Sequence, residues 1–277
     1  MHGRWSGRIL LPLKLSMEPR FFSLIIPCFR QEKTIQENLN RVEKVLLGLP
    51  LDYEIIVVVD GRVDKTAEII RRIARNNKKI KLFVNEKNVG KGFSVKFGVQ
   101  KAKGDVIGFI DSGLDIDPEG ISIALDYMKL HEADIVVGSK THPDSEVNYP
   151  LYRRLISFGG RFLTQFLFGF SVLDTQVGLK IFKKKVAKDV FPRLLVKKFA
   201  FDIEMLAVAN VLGYRRIYEA PVKLSFEAGS ISAGKLLSII LKTFWDTLAI
   251  FYRIRILRYY RKSNKRNWLN AYEDTNT

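Results

Sequence analysis

Cysteine is nearly absent from this 277-residue chain, and the single Cys28 excludes an intrachain disulfide framework. It suits a reducing compartment, which makes cytoplasmic exposure the default expectation. Long apolar runs are missing too: no segment reaches the roughly 18 uninterrupted residues of a simple membrane span. Residues 1–20 lack a small-residue cleavage site, and their apolar run Ile9-Leu10-Leu11-Pro12-Leu13 is broken by proline, so they read as a flexible or surface-lying leader rather than a signal peptide. Repeats and low-complexity stretches are absent. Acidic residues are scarce, 29 against 46 Lys plus Arg, for a formal charge of +17. That excess favours an anionic partner, whether nucleic acid, acidic lipid or a phosphorylated substrate, and does not choose among them.

What is present is a 47% hydrophobic content, enough for the core of one large α/β domain or of a catalytic domain with a small appendage. Continuous apolar runs at 21–26, ended by Pro27, and at 54–59, ended by Asp60-Gly61, predict strands buried on both faces. Runs at 79–84, 105–110 and 133–137 repeat the theme. Helical patterns fall between them at 33–47, 65–76, 92–103 and 118–131. Such alternation predicts an α/β, mostly parallel, doubly wound sheet with ligands beyond the carboxyl ends of its strands. The loops at that edge begin at Pro27, Asp60, Asn85 and Asp111. Their carboxylates suit ribose hydroxyls, a base edge or a bound cation. After Ser139 the alternation breaks down, with a helix at 201–212 and a strand at 214–219 as the clearest later elements.

Two loops stand out. In Asp60-Gly61-Arg62-Val63-Asp64-Lys65-Thr66, Asp64 reads best as an N-terminal helix cap, whereas Asp60 closes a buried strand. In Asp111-Ser112-Gly113-Leu114-Asp115-Ile116-Asp117-Pro118, an extended backbone would project Asp111 and Asp115 to one side, where they could share a cation carrying a diphosphate. Asp117 before Pro118 reads as a helix-start residue.

Pro27-Cys28-Phe29-Arg30-Gln31-Glu32, the Asp60 loop, Asn88-Val89-Gly90-Lys91-Gly92, Gly138-Ser139-Lys140, Asp174-Thr175-Gln176-Val177-Gly178-Leu179-Lys180-Ile181-Phe182 and Phe201-Asp202-Ile203-Glu204 follow one another in a specific order. In that order and spacing, over roughly 21 to 232, the chain resembles the family 2 glycosyltransferases of the GT-A fold, and among them the polyprenyl-phosphate sugar transferases. The resemblance implies a Rossmann-like sheet, a nucleoside-diphosphate sugar donor, a divalent cation (Mg²⁺ or Mn²⁺) and a polyprenyl, dolichyl-type phosphate acceptor. It places Pro27, Phe29 and Glu32 beside the nucleoside, Asp60 on the base, and Lys91 and Ser112 with the donor. Asp111 would open the metal motif, and Lys140 with Arg153 or Arg154 would neutralise phosphates. Gly113 stands where the family carries a second metal-binding aspartate; either Asp115 supplies the missing charge or metal binding is weakened. Asp174 and Asp202 are further candidate catalytic carboxylates, with a turn former and a helix-start residue as their bland alternatives. No general base is nominated, since an acceptor phosphate is already ionised near neutral pH.

The helical patterns at 156–170 and 236–252 are amphipathic and aromatic-rich, readable as core helices or as helices lying in a membrane interface. In the second, Lys235, Ser238, Lys242, Asp246 and Arg253 fall near one face, and Leu237, Ile240, Leu241, Phe244, Leu248 and Phe251 on the other. The segment Arg253 to Arg266 holds seven basic residues and no acidic one, which favours an anionic membrane surface. Nucleic acid ranks well below, for want of a recognisable binding module. The expected organisation is a leader (1–20), a catalytic domain (21–232) and an amphipathic helix with a polybasic tail (233–277), at the cytoplasmic face of a membrane.

Overall fold

The computed structural model describes residues 19–147, 151–170, 172–224, 233–264 and 268; for 151–158, 233–237 and 262 it describes the backbone only. The leader 1–18 lies outside the described residues, as do 265–267 and 269–277 of the basic tail.

Five strands alternating with four helices open the fold: β1 (Phe21–Cys28), α1 (Ile35–Leu47), β2 (Asp52–Asp60), α2 (Thr66–Asn76), β3 (Ile80–Asn85), α3 (Lys91–Lys101), β4 (Val106–Ile110), α4 (Gly120–Leu130) and β5 (Ile135–Ser139). Each lies within three residues of its predicted bounds. The first strand runs on through Pro27, which pairs with Val58 of β2. Pairing of β1 with β4 on the other side extends only to Ile25, so the missing proline N–H breaks no ladder there.

The chain continues through β6 (Glu146–Val147), α5 (Leu151–Phe168), β7 (Leu179–Lys183), α6 (Lys184–Val190), α7 (Phe201–Val211), β8 (Ile217–Pro221), β9 (Lys223–Leu224) and α8 (Ala233–Arg255). The main sheet has the order β3-β2-β1-β4-β7-β5-β8. It is parallel except for β7, which runs antiparallel to both β4 and β5. Because β7 is reversed, its first residue Leu179 pairs with Ile110, the last of β4, and the preceding 174–178 segment arrives at the carboxyl edge of the parallel strands.

Residues alternate between two cores. Leu24, Ile26, Ile55 and Val57 pack on one face with α1, α2 and α4. Ile25, Ile56 and Val58 pack on the other with α3, α6 and α7, and Ile250 of α8 and Tyr260 beyond it join this second core. The C-terminal segment is thus packed into the sheet domain. Among the described side chains of α8, Thr247 and Ile250 are buried and Phe251 and Ile254 pack against the second core, while Ile240, Leu241, Phe244 and Trp245 are exposed. Arg253, read from sequence as part of the outward polar face, instead approaches buried Glu204 (3.7 Å).

Candidate active site

At the carboxyl edge of the sheet, five of the sequence-predicted residues, Lys91, Asp111, Lys140, Asp174 and Asp202, fall into two clusters. Asp111 follows β4, and its amide donates to the Gly178 carbonyl (3.1 Å). A Cβ on Gly178 would lie 2.2 Å from Asp111 Oδ2, so only glycine allows the reversed strand to pass beneath this carboxylate. Lys91, the first residue of α3, approaches Asp111 Oδ1 to 2.6 Å and Asp202 Oδ2 to 3.9 Å. Asp202, at the start of α7, is bound in turn by Lys180 Nζ at 2.5 Å, which also donates to the Val177 carbonyl (2.6 Å). The four side chains form a row of alternating charge, from fully buried Lys180 to half-exposed Asp111.

Burial acts to strip the Lys91 proton, but Asp111 and Asp202 together outweigh it and hold the lysine above its ordinary pKa. Burial dominates at Lys180 and pulls its pKa down against the opposing attraction of Asp202. Gly90 sets the α3 start: its φ is +123°, and a Cβ there would lie 2.3 Å from the Lys197 carbonyl.

The second cluster lies where β5 ends. Asp174 accepts from the Lys140 amide (2.9 Å) and faces the Lys140 ammonium (3.6 Å). Glu219 of β8 fixes the turn by accepting from the amides of Leu173 (3.0 Å) and Asp174 (2.8 Å). Lys180, Gly178 and Glu219 received no role from sequence. The findable signal was a lysine inside an otherwise apolar strand pattern, since a buried lysine needs a carboxylate.

The remaining candidates serve loop architecture. Asp60 is buried, and its oxygens accept from Asn85 Nδ2 (3.0 Å), Val89 N (2.9 Å) and Gly90 N (2.8 Å). Its carboxylate therefore holds the loop that leads into Lys91. Glu32 accepts from the Lys65 amide (3.1 Å), while Asp64 accepts from the amides of Glu32 (3.3 Å) and Thr66 (3.0 Å), so two loops clasp each other. The cap position of α2 falls on Lys65, without a side-chain cap bond, so Asp64 stands one residue before the cap expected of it and holds the turn instead. Pro27 is buried, whereas Phe29 is exposed beneath the Arg30 guanidinium. Cys28 is buried, which pushes its thiol up to about 12 and removes it as a nucleophile. The side chains of Arg153 and Arg154 lie outside the described residues.

The 111–115 segment corrects an expectation. It is a turn, with the Leu114 amide donating to the Asp111 carbonyl (3.1 Å) and Leu114 in the left-handed region (φ 49°). The extended-strand argument for a shared face of Asp111 and Asp115 therefore does not hold. Leu114 buries its side chain beneath the turn, Asp115 is exposed, and Asn38 Nδ2 donates to the Ser112 carbonyl (2.8 Å). Asp117 accepts from the Glu119 amide (3.0 Å) and pairs with Arg41 (3.2 Å).

Among the described residues no group of three His, Cys, Asp or Glu side chains would hold a metal by itself. Half-exposed Asp111 nevertheless suits a hard cation whose other ligands are water and diphosphate oxygens, because Mg²⁺ commonly needs only one or two protein carboxylates.

Residues 23–191 match the family model for glycosyl transferase family 2. The chain belongs to this family. It is a glycosyltransferase. Human dolichyl-phosphate beta-glucosyltransferase is 28% identical over 261 residues, covering 85% of this glycosyltransferase and 75% of the human protein. Glycosyltransferase AglD of Haloferax volcanii is 26% identical over 234 residues, 81% of this chain and 37% of that one. Glucosyl-3-phosphoglycerate synthase from Mycobacterium tuberculosis, solved with Mn²⁺, UDP-glucose and phosphoglyceric acid, superposes with a TM-score of 0.65 at 19% identity, covering 84% of this chain and 80% of that one. The same synthase has been solved with Mg²⁺ and UDP. These neighbours establish the GT-A sheet predicted from sequence.

Proposed function

We propose that this glycosyltransferase moves a sugar from a nucleoside-diphosphate sugar to a polyprenyl phosphate of the dolichyl type, at a membrane surface facing the cytoplasm. The observation that carries the reading is the pair of charge-balanced clusters at one sheet edge, Lys91 with Asp111 and Lys140 with Asp174. Both substrates are phosphate-bearing, and a lysine in each cluster suits that. The names of relatives such as the human dolichyl-phosphate beta-glucosyltransferase support the acceptor class. The nucleotide-sugar complex of the structural neighbour supports the donor class.

In this reading Asp111 would hold a divalent cation, which when bound would neutralise charge on the diphosphate leaving group. Lys91 donates to a diphosphate oxygen from its place beside Asp111. Asp202 keeps Lys91 oriented, and Lys180 pairs with the buried Asp202 at 2.5 Å. Lys140, turned by Asp174, attracts the acceptor phosphate. One acceptor oxygen attacks the anomeric carbon while the bond to the diphosphate breaks. The oxygen arrives already ionised, so positioning and charge neutralisation do the work that a base does elsewhere.

Attachment to a membrane is supported by the apolar side chains that α5 and α8 expose, Phe162 and Phe166 on one and Leu241 and Trp245 on the other. Among the described residues no helix is long and apolar enough to cross a membrane. The basic residues after α8 support the side facing anionic lipid.

The test is release of nucleoside diphosphate from a panel of donors, with dolichyl phosphate present or absent and with Mg²⁺, Mn²⁺ or chelator. Turnover only with the polyprenyl phosphate is expected. Equal turnover on a glycan or another lipid would reassign the acceptor, and nucleotide binding with no turnover on any acceptor would remove the proposed reaction.

A further inference from the structure

At the edge of the sheet opposite Asp111, α5, α7 and the end of α8 enclose a cleft of about 660 Å³. Arg215, Arg255, Arg258 and Arg261 line it, with Leu167 and Ile254 among its apolar walls. Arg215 lies two residues before β8, while the other three follow one another at the end of α8 and beyond, so residues about forty apart in sequence converge on one space. The four exposed guanidiniums concentrate positive charge around one cleft, a field that draws in an anion.

None of the four guanidiniums has an ion-pair or hydrogen-bond partner among the described residues. Basic side chains are commonly found at helix C-termini, where they satisfy the last carbonyls. Two helices do end here, α7 at Val211 and α8 at Arg255. Yet no hydrogen bond joins these arginines to those carbonyls, so capping does not account for the cluster. Arg258 also occupies the left-handed region (φ 49°), a conformation cheapest for glycine.

The surroundings indicate what kind of anion fits. Ile256 (65% exposed) and Leu257 (50%) stand between Arg255 and Arg258, and Phe166 (79%) precedes Leu167 at the other wall. A cationic cleft rimmed by exposed apolar side chains matches a ligand with a charged phosphate head and a hydrocarbon body. We propose that this cleft binds the phosphorylated headgroup of an anionic lipid, at a site separate from the sugar-transfer centre. The proposal rests on the membrane-surface reading above and adds to it a defined pocket in place of a diffuse charge.

Arg215 makes the test specific, because it is not part of the basic tail. Sedimentation of the full chain with phosphatidylcholine vesicles, with and without phosphatidic acid, is compared for the wild type, for Arg215→Gln combined with Arg258→Gln, and for Arg72→Gln on exposed α2. Retention on the acidic vesicles should fall at least about tenfold in the double variant, with an unchanged melting temperature, and stay unchanged in Arg72→Gln. Equal retention of wild type and double variant on acidic vesicles would overturn the pocket while leaving membrane attachment standing. Failure of the wild type to bind any vesicle would remove both. Inorganic phosphate, or single-stranded RNA, binding through Arg215 without vesicle capture would overturn the lipid assignment.

Discussion

Lys91 Nζ stands 2.6 Å from Asp111 Oδ1, so the carboxylate proposed to hold the cation is already paired with a lysine. Each member of the pair limits the other: the carboxylate keeps the ammonium charged, and the ammonium partly neutralises the carboxylate. Replacing Lys91 with Met should lower kcat/KM by about 10² to 10³, the scale of removing one preorganised charge-stabilising donor. Asp111→Asn should do at least as much and also shift the Mg²⁺ or Mn²⁺ concentration needed for half activity. Steady-state kinetics across a metal titration separates the two effects, and a Lys91→Met enzyme with unchanged kinetics would remove Lys91 from the mechanism.

Lys180 is fully buried and pairs with Asp202, itself only a few per cent exposed. Removing one partner strands the other charge, so Lys180→Met should cost about 3–5 kcal/mol in urea denaturation. Combining it with Asp202→Asn should recover a large part of that loss. A double variant no more stable than Lys180→Met would show that the two do not act as a pair.

Gly178→Ala forces a methyl group into the space of the Asp111 carboxylate, at 2.2 Å from Oδ2. The backbone there has no left-handed requirement, so the collision falls on the side chain. The expected outcome is a loss of kcat similar to that of Asp111→Asn, with a melting temperature lowered by only a few degrees, as about 1–2 kcal/mol of overpacking implies. Retained activity would mean that Asp111 can move without consequence.

Lys96 is buried in α3 and donates to the Leu194 carbonyl (2.9 Å); burial lowers its pKa from 10.5 to about 8. In this window the unfolded chain binds the proton that the folded one has released. The stability of the wild type relative to Lys96→Met should therefore rise as pH increases from about 8 to 10.5 and be flat below it. Denaturation midpoints of both proteins at several pH values check the sign.

Phe166 and Trp245 are 79% and 67% exposed, on α5 and α8. Replacing both with Ser should weaken vesicle binding by roughly tenfold or more while changing the melting temperature little, because neither lies in the core. Point substitutions are the appropriate probe. A truncation before α8 would also remove Ile250 and Tyr260 from the second core.

Much of this arrangement was legible in the sequence because the signals were local. Apolar runs marked the parallel strands, and the motif loops fell at their carboxyl ends. The insertion of β7 was hidden, since strand direction depends on partners far along the chain. Leu114 shows a different limit. A left-handed turn beside a glycine is expected to use the glycine, yet Leu114 adopts it and buries its side chain, offsetting the strain with apolar contact. The reading of Asp60 as a base-contacting residue rested on the motif alone, which carries no information on the three hydrogen bonds that tie it to 85–90. The role of Lys180 was missed because its partner, Asp202, enters from another helix.

Glu204 ties the segment after α8 to the loop before α7. It accepts from Tyr260 Oη at 2.5 Å and from the amides of Leu195 (2.9 Å) and Val196 (2.8 Å). Lifting the C-terminal segment away would leave that buried acid without its hydroxyl donor, a cost of about 1–3 kcal/mol before any apolar contact is counted. Helix α8 is thus a bracket rather than a tether. If α8 lies on a membrane as proposed, the tilt of the sheet edge above it is settled when the chain folds, and the distance an acceptor must reach to meet Asp111 is fixed with it.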